Sequence, residues 1–231
     1  MIKENVSSIR KRIALVCSKF NRDFNSITVV AVSKGRVSEQ IKEAFEAGIT
    51  DIGENRVQEA LTKYNSVLRT PYSVQTRWHM VGHLQTNKVK EAVRIFDLIH
   101  SVDSIRLAKE IDKESAKINK IQNLLIEVKN SPEATKFGLK PDEAVRVMKE
   151  IAELKNISIK GLMTIAPLLD DPQQRRPYFR RLKELLEEIN SVHSTQYPLQ
   201  ILSMGMTDDF EVAIEEGSNM LRLGRAIFSR Q

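Results

Sequence analysis

Short apolar runs rich in β-branched residues alternate with amphipathic segments along the chain. The first run, at 27–33, is almost entirely apolar, which is typical of a strand covered on both faces in a parallel sheet. Seven further runs follow, and a helical pattern follows most of them. The predicted strands cover residues 27–33, 49–53, 77–82, 97–102, 123–129, 158–166, 198–203 and 219–224.

Helical segments are predicted between these strands, and one more precedes the first strand. Ser38 is a suitable N-cap and Gly48 a suitable C′ residue for the helix between them. Pro141 at a helix start needs no N–H partner, so it fits the first turn. The predicted helices cover residues 2–20, 38–47, 55–67, 87–95, 104–118, 141–154, 178–189 and 207–217, the last opened by Thr207 and closed by Gly217.

Eight β-then-α units in 231 residues predict an α/β fold of the (β/α)8 TIM-barrel type with an extra N-terminal helix. A doubly wound open sheet shows the same alternation of strand and helix. It usually has fewer strands, and no glycine-rich dinucleotide fingerprint follows the first strand here. Because no linker or low-complexity tract divides the chain, residues 1–231 are predicted to form a single domain.

The composition, 41% hydrophobic and 29% charged, is that of an ordinary globular protein. No stretch approaches the roughly 20 apolar residues that span a bilayer. The first residues lack the continuous apolar region of a signal peptide. A single cysteine, Cys17, excludes an internal disulfide. These features predict a cytoplasmic protein that does not bind membranes.

The net charge of +6 permits a nucleic-acid or another anionic partner. However, the basic residues are interspersed with acidic ones, and no block of like charges occurs. Aromatic residues make up only 6%, which leaves few platforms for base stacking. No metal-ligand spacing is present either. The sequence therefore predicts neither nucleic-acid binding nor a metal site.

Polar residues follow the predicted strands at the end where a TIM barrel binds its ligand. Lys34 ends the first apolar strand, where partial desolvation is expected to lower its pKa. A neutral amine can form a Schiff base with an aldehyde. The alternative is an ordinary solvated lysine. The strand-exit residues are Lys34, Glu54, Asn55, His83, Asp103, Asn130, Thr164, Ser203, Met204, Gly205, Arg222 and Gly224.

A phosphate site is predicted at the last two strand exits. Ser203 and Gly205 precede the helix predicted at Thr207, and Gly224 and Arg225 follow the eighth strand. Backbone N–H groups at such turns bind phosphate, and this is the usual phosphate position of the fold. An ordinary turn with a helix cap is the alternative. Together with a strand-exit lysine, the pattern points to pyridoxal 5′-phosphate (PLP), which has an aldehyde and a phosphate.

Arg222 alternates with Leu221 and Leu223, so its side chain is expected inside the barrel. A buried guanidinium needs a partner. Opposite the pyridine nitrogen of PLP it would leave that nitrogen unprotonated, which makes the ring a weaker electron sink. A structural ion pair is the alternative.

Six segments are distinctive when taken together and in this order: VVAVSKGRVSEQIKEAFEAGITDIGENRVQEALTK, WHMVGHLQTNKVK, IHSVDS, KFGL, IKGLMTIAP and LSMGMTDDFEVAIEEGSNMLRLGRAIF. In these segments the chain resembles the pyridoxal phosphate homeostasis proteins, single-domain relatives of the alanine racemase barrel. The resemblance covers nearly the whole chain and implies a PLP-binding barrel that holds, buffers or delivers PLP without established catalysis.

The resemblance also implies roles for individual residues. Lys34 matches the Schiff-base lysine, Asn55 lies near the cofactor, and Arg222 matches the partner of the pyridine nitrogen. His83 is expected to line the pocket. The phosphate cradle would consist of Ser203, Met204, Gly205, Gly224 and Arg225.

Two positions depart from the family. It usually has a small hydroxyl residue where Arg225 stands and a glycine where Ser229 stands. At Arg225 only the backbone role in phosphate binding is therefore carried over, while the side chain either adds charge to the site or swings outward.

A PLP-dependent racemase is the alternative function. A racemase needs two acid/base groups on opposite faces of the substrate. The related racemases take the second group, a tyrosine, from a β-domain on a partner chain. None of Tyr64, Tyr72, Tyr178 and Tyr197 lies at a strand exit. We therefore predict a homeostasis protein, monomeric and without catalytic residues, whose partners are PLP and PLP-dependent apoenzymes.

Overall fold

Eight parallel strands close into a barrel in the computed structural model, and they neighbour one another in chain order. The structure describes residues 1–131, 137–192 and 198–229. The closed parallel barrel confirms the predicted (β/α)8 fold. The strands are β1 (Thr28–Val32), β2 (Asp51–Glu54), β3 (Arg77–Met80), β4 (Leu98–Val102), β5 (Gln122–Glu127), β6 (Ile157–Met163), β7 (Ile201–Ser203) and β8 (Met220–Leu223).

Helices surround the barrel, and the first of them precedes β1 as predicted. Most begin and end within a few residues of the predicted bounds. None of the described helices combines the length and apolar character that a bilayer crossing demands. The helices are α1 (Ile2–Lys19), α2 (Ser38–Glu46), α3 (Val57–Val67), α4 (Val89–Ile95), α5 (Ile105–Ala116), α6 (Pro141–Ala152), α7 (Arg176–Val192), α8 (Phe210–Glu215) and α9 (Arg225–Phe228).

The helix after β7 differs from its prediction. It begins at Phe210 rather than Thr207 because Asp209 closes a tight turn in front of it. The Asp209 carboxylate accepts a hydrogen bond from the Met206 N–H at 2.6 Å, and the Asp209 N–H donates to the Met206 carbonyl at 3.1 Å. These contacts hold residues 206–209 outside the helix.

Apolar side chains fill two layers. The larger layer lies between the strands and the helices, and the smaller one fills the inside of the barrel, with Val30, Leu125 and Met220 among its residues. Helix α1 buries Ile2 and other apolar residues along one face. It also holds the last helix, since the Asn5 side-chain amide donates to the carbonyls of Ile227 and Ser229 at 2.9 and 3.0 Å.

Strands β6 and β7 approach each other too closely for a side chain at Gly161. A Cβ atom there would lie 1.9 Å from the carbonyl oxygen of Ile201. The pairing register between β5 and β6 shifts at the same point, between Leu124 and Leu125. Gly161 therefore permits this strand contact, on which closure of the barrel depends.

We predict that Gly161→Ala lowers the free energy of unfolding by about 3 kcal/mol, because backbone must move to admit the methyl group. Chemical denaturation measures the change. Ser158→Ala, on the same strand, is the control and should differ from wild type by less than about 1 kcal/mol. Equal stability of the two variants would contradict the close approach.

Candidate ligand-binding site

A cleft of about 580 Å³ opens at the carboxyl ends of the strands. Its volume lies within the range of small-molecule sites. Loops that follow β1, β2, β6, β7 and β8 contribute to its walls. The predicted site residues that line it are Lys34, Asn55, Arg222, Gly224 and Arg225.

Lys34 continues the inward alternation of β1, since Val30 and Val32 belong to the apolar layer inside the barrel. Its side chain is exposed at the cleft. The expected desolvation of Lys34 is therefore wrong for this structure, because the loop after β1 lifts the lysine out of the barrel towards the open mouth.

The backbone on both sides of Lys34 is held by residues outside the predicted set of site residues. The buried Lys63 ammonium donates to the Ser33 carbonyl at 2.5 Å and to the carboxylates of Glu54 and Glu59 at 2.6 and 2.7 Å. The Gly35 N–H donates to the same Glu59 oxygen at 2.6 Å. This network fixes where the Lys34 side chain begins.

Glu54 is the buried carboxylate of that network. Burial raises its pKa, against the opposing effect of hydrogen bonds from Lys63 and Ser33. Only its Oε1 takes part in these bonds, and its Oε2 has no hydrogen-bond partner among the described residues. The Lys63–Glu54 pair is thus a compact buried ion pair directly beneath the lysine loop.

Asn55 lies against the backbone after β3, and a glycine makes this possible. A Cβ atom on Gly82 would lie 2.5 Å from the Asn55 carbonyl oxygen and 2.8 Å from its Cα. The glycine in the GHLQ segment therefore brings the exits of β2 and β3 together, which explains why Asn55 reaches the cleft.

Ser203 and Met204, two residues of the predicted phosphate cradle, are not among the residues that line the cleft. Both are fully buried, because β7 ends with the Ser203 side chain directed into the barrel. Gly205, which is also buried, has a φ of +93° and permits the turn that follows. The turn reaches the cleft through Met206 and Thr207.

The Arg225 side chain turns outward. It is 70% exposed and pairs with Asp208 at 2.5 Å on the rim. A different arginine, Arg175, lines the cleft from the segment before α7. Arg175 is buried and pairs with Asp209 at 3.0 Å, while its Nε has no partner among the described residues. No strand-exit signal marks Arg175 in the sequence, because it lies in a long loop.

Arg222 is 4% exposed, and its guanidinium is anchored along one side. Nη1 donates to the carbonyl and to the hydroxyl oxygen of Ser203, both at 2.7 Å, and Nη2 donates to the Thr164 carbonyl at 2.8 Å. Burial lowers its pKa to about 10, opposed by the charges of Glu127 and Asp209. Arg222 thus remains a cation at neutral pH, and it touches the cleft.

His83 lies beside the cleft and is not among the residues that line it. Its Nδ1 is 3.3 Å from an Asp103 carboxylate oxygen, and its ring stacks on Phe137 with centroids 3.7 Å apart. These two contacts hold the imidazole at the exits of β3 and β4. Among the described residues, no group of three or more His, Cys, Asp and Glu side chains is placed to hold a metal ion.

Comparison with known proteins identifies the family. Residues 4–230 match the family described as alanine racemase, N-terminal domain. The pyridoxal phosphate homeostasis protein of Aquifex aeolicus (strain VF5) is 41% identical over 228 residues, which are 99% of this chain and 97% of that protein. The chain belongs to the pyridoxal phosphate homeostasis protein family.

Two further similar proteins support this family assignment. The homeostasis protein of Haemophilus influenzae is 34% identical over 98% of this chain and 94% of its own length. The structure of PipY from Synechococcus elongatus PCC7942 with PLP bound superimposes with a TM-score of 0.87 at 33% identity, and the match covers 99% of this chain and 100% of that one.

This member of the family also buries a titratable group close to Arg222. Glu127, at the end of β5, is 6% exposed. Burial, together with the charge of Asp103, raises its pKa to about 7, although Arg222 acts in the opposite direction. Glu127 is therefore partly protonated near neutral pH.

We predict that Glu127→Gln changes how stability depends on pH. The folded protein holds the Glu127 proton up to about pH 7, whereas the unfolded chain releases it near the ordinary value of 4.5. Wild-type stability therefore falls as the pH rises through this interval. Above it, the variant should be more stable than wild type by about 3 kcal/mol, with little difference near pH 4.

Denaturant unfolding across this pH range measures the effect. Glu188→Gln, at an exposed position of α7, is the control and should follow the wild-type profile. A Glu127→Gln profile parallel to that of wild type would contradict the raised pKa.

Proposed function

We propose that this protein binds PLP in the cleft, attaches it to Lys34 and holds it for vitamin B6 homeostasis within the cell. The observation that carries the proposal is the convergence of an accessible strand-exit lysine and a buried arginine on one cleft. PLP is the ligand bound in the PipY structure and the ligand for which the homeostasis proteins are named, which supports the assignment.

The residues of the cleft fit such a ligand. PLP offers an aldehyde, a phosphate and a ring nitrogen, and its chemistry when bound is that of an electrophilic carbonyl joined to an electron-accepting ring. Lys34 presents an amine to the cleft. Arg175 presents a buried guanidinium with an unpartnered Nε, a donor suited to an anion. Arg222 presents a second guanidinium.

Each residue then has a distinct task. Lys34 binds at the aldehyde carbon through Nζ. Arg175 and the backbone turn at Gly224 and Arg225 bind the phosphate, since Arg175 Nε is an unpartnered donor among the described residues and the turn borders the same cleft. Arg222 donates a hydrogen bond to the ring nitrogen and keeps its own proton, because its pKa stays near 10.

The residues that line the cleft favour storage of PLP over catalytic turnover of an amino acid. Turnover of an amino acid needs a second proton-transferring group opposite Lys34. No tyrosine is among the described residues that line the cleft. The relatives are named as homeostasis proteins rather than as enzymes. Delivery of PLP to apoenzymes, a cytoplasmic location and a monomeric state remain predictions from the sequence.

A racemase-like activity is the competing function. It is tested by incubating the PLP-loaded protein with L-alanine in deuterated water and following loss of the Cα proton by NMR. We expect no exchange above that of free PLP with the same amino acid. Exchange that depends on the protein and on Lys34 would instead establish catalysis.

We predict that Lys34→Ala abolishes covalent attachment of PLP. Wild-type protein should show a visible absorbance band with PLP, and borohydride reduction followed by peptide mapping should place the label on Lys34. Lys90→Ala, at an exposed position of α4, is the control and should retain the band. A label on another lysine in wild type would show that the assignment of Lys34 is wrong.

We predict that Gly224→Val weakens binding of PLP by more than about tenfold, because the added side chain blocks close approach of the phosphate to the N–H groups of the turn. Binding of pyridoxal, which lacks the phosphate, should weaken by less than about threefold. The backbone can admit a Cβ atom here, because its nearest neighbour would be the Val32 carbonyl oxygen at 3.4 Å. Equilibrium titration of both ligands measures the effect. An equal loss for both would contradict a phosphate site at this turn.

A further inference from the structure

A continuous row of polar side chains runs through the inside of the barrel, from Arg222 to the opposite end. The Ser203 hydroxyl is 2.7 Å from Arg222 Nη1 and 2.9 Å from His100 Nδ1. His100 Nε2 is 2.9 Å from His79 Nδ1, and His79 Nε2 is 2.9 Å from Asp51 Oδ1. We call Ser203, His100, His79 and Asp51 the polar chain.

The polar chain is buried throughout and does not line the cleft. Its four residues are at most 3% exposed. The inside of such a barrel is normally filled by branched apolar residues, which need no hydrogen-bond partners. In the part of the chain that the structure describes, Arg222 both bonds to Ser203 of the polar chain and lines the cleft. Arg222 is therefore the route by which hydrogen bonds of the polar chain reach a ligand in the cleft.

The ends of the polar chain fix the direction of its hydrogen bonds. A guanidinium only donates, and an ionised carboxylate only accepts. Burial on its own would raise the pKa of Asp51, but hydrogen bonds from His79 and Arg77 outweigh it and lower the pKa to about 2. Asp51 is therefore ionised at neutral pH and accepts hydrogen bonds from both His79 and Arg77.

With neutral imidazoles, a single arrangement of protons satisfies every contact between these ends. His79 donates from Nε2 to Asp51, so its Nδ1 must accept from His100 Nε2. His100 Nδ1 then accepts from the Ser203 hydroxyl. The Ser203 oxygen is left with its lone pairs directed at Arg222 Nη1, which is the orientation that a cation requires.

We propose that the polar chain is a positioning device, in which His79 and His100 orient the Ser203 hydroxyl so that it fixes the plane of the Arg222 guanidinium at the cleft. Ser203 and Thr164 take three hydrogen bonds from the guanidinium of Arg222. Because the guanidinium is planar and rigid, this anchoring directs its remaining donors. The identification of their target as the PLP ring nitrogen rests on the proposed function.

The charges around the polar chain favour its neutral state. Burial lowers the pKa of His100 well below its ordinary value, and positive charge on Arg222, or on His79 were it protonated, acts in the same direction. Asp51 and Arg77 face the far end, while Glu127 and Asp209 act on Arg222 at the near end. A proton added at His100 would reverse its bond with Ser203 and place a second cation beside Arg222.

The first experiment reads the histidine tautomers in the ligand-free protein. Long-range ¹H–¹⁵N correlation spectra, assigned with His79→Gln and His100→Gln, should show both imidazoles neutral at pH 7, with Nε2 protonated and Nδ1 bare. This result needs no cofactor. A proton on His100 Nδ1, or a doubly protonated His100, would overturn the inference, because Ser203 would then face Arg222 differently.

The second experiment compares three variants in their PLP-loaded form. Ser203→Ala should keep the Lys34 label, weaken PLP binding roughly tenfold and shift the absorbance band as the ring nitrogen loses its fixed partner. Ser203→Thr keeps the hydroxyl and should restore the wild-type spectrum. Ser218→Ala is the matched control, since Ser218 is equally buried but donates to backbone carbonyls such as that of Met204.

The outcomes separate the two proposals. If wild type binds no PLP at all, the proposed function fails, whereas the tautomer measurement still decides whether the polar chain is aligned. If PLP binds but Ser203→Ala has the spectrum and affinity of Ser218→Ala, the positioning role is wrong and the proposed function stands. Thermal unfolding of all three variants shows which changes reflect lost stability alone.

Discussion

A guanidinium inside the barrel is the constraint from which most of the polar architecture follows. A buried cation is tolerated only where hydrogen-bond acceptors surround it, and Arg222 finds them in Ser203 and Thr164. The Ser203 hydroxyl in turn needs an acceptor for its proton, which is His100 Nδ1. The Nε2–H of His100 needs His79 as its acceptor, and the Nε2–H of His79 needs the Asp51 carboxylate. One inward arginine on β8 thus accounts for Ser203, His100, His79 and Asp51, which lie on four other strands.

Lys34, which follows the neighbouring strand β1, is positioned in another way. Lys34 is exposed and lies outside the barrel interior, so its position depends on the backbone that carries it. Lys63 and Glu59, one helical turn apart on α3, hold that backbone on both sides. The cleft therefore combines a rigid arginine with a lysine whose base is fixed and whose amine remains accessible to an incoming aldehyde.

Features that depend on local sequence could be predicted well. The apolar runs, separated by helical segments with caps, correctly predicted the positions of all eight strands. The alternation of Arg222 with two leucines on β8 correctly predicted that its side chain is buried inside the barrel. Lys34 and Gly224 were found because a barrel collects its ligand groups at strand exits. Each of these inferences needs only the spacing of apolar residues along one element, or the position of a residue at the end of one strand.

Features that depend on contacts between distant units were missed. Ser203 was assigned to a phosphate because its neighbours form a turn, but its partner His100 is 103 residues away in the sequence. Arg175 reaches the cleft from a long loop, and its pairing with Asp209 holds it there. No local pattern specifies such pairs, since they are set by the closure of the barrel.

The contact between α1 and α9 has a consequence for the order of folding events. Asn5 bonds to the Ile227 carbonyl across 222 residues, so this contact forms only after a very long loop has closed. Helix α9 begins directly after Gly224, at the turn that borders the cleft. A chain in which this contact is not formed therefore lacks the support of one wall of the cleft, so completion of the site depends on a contact between the two ends of the sequence.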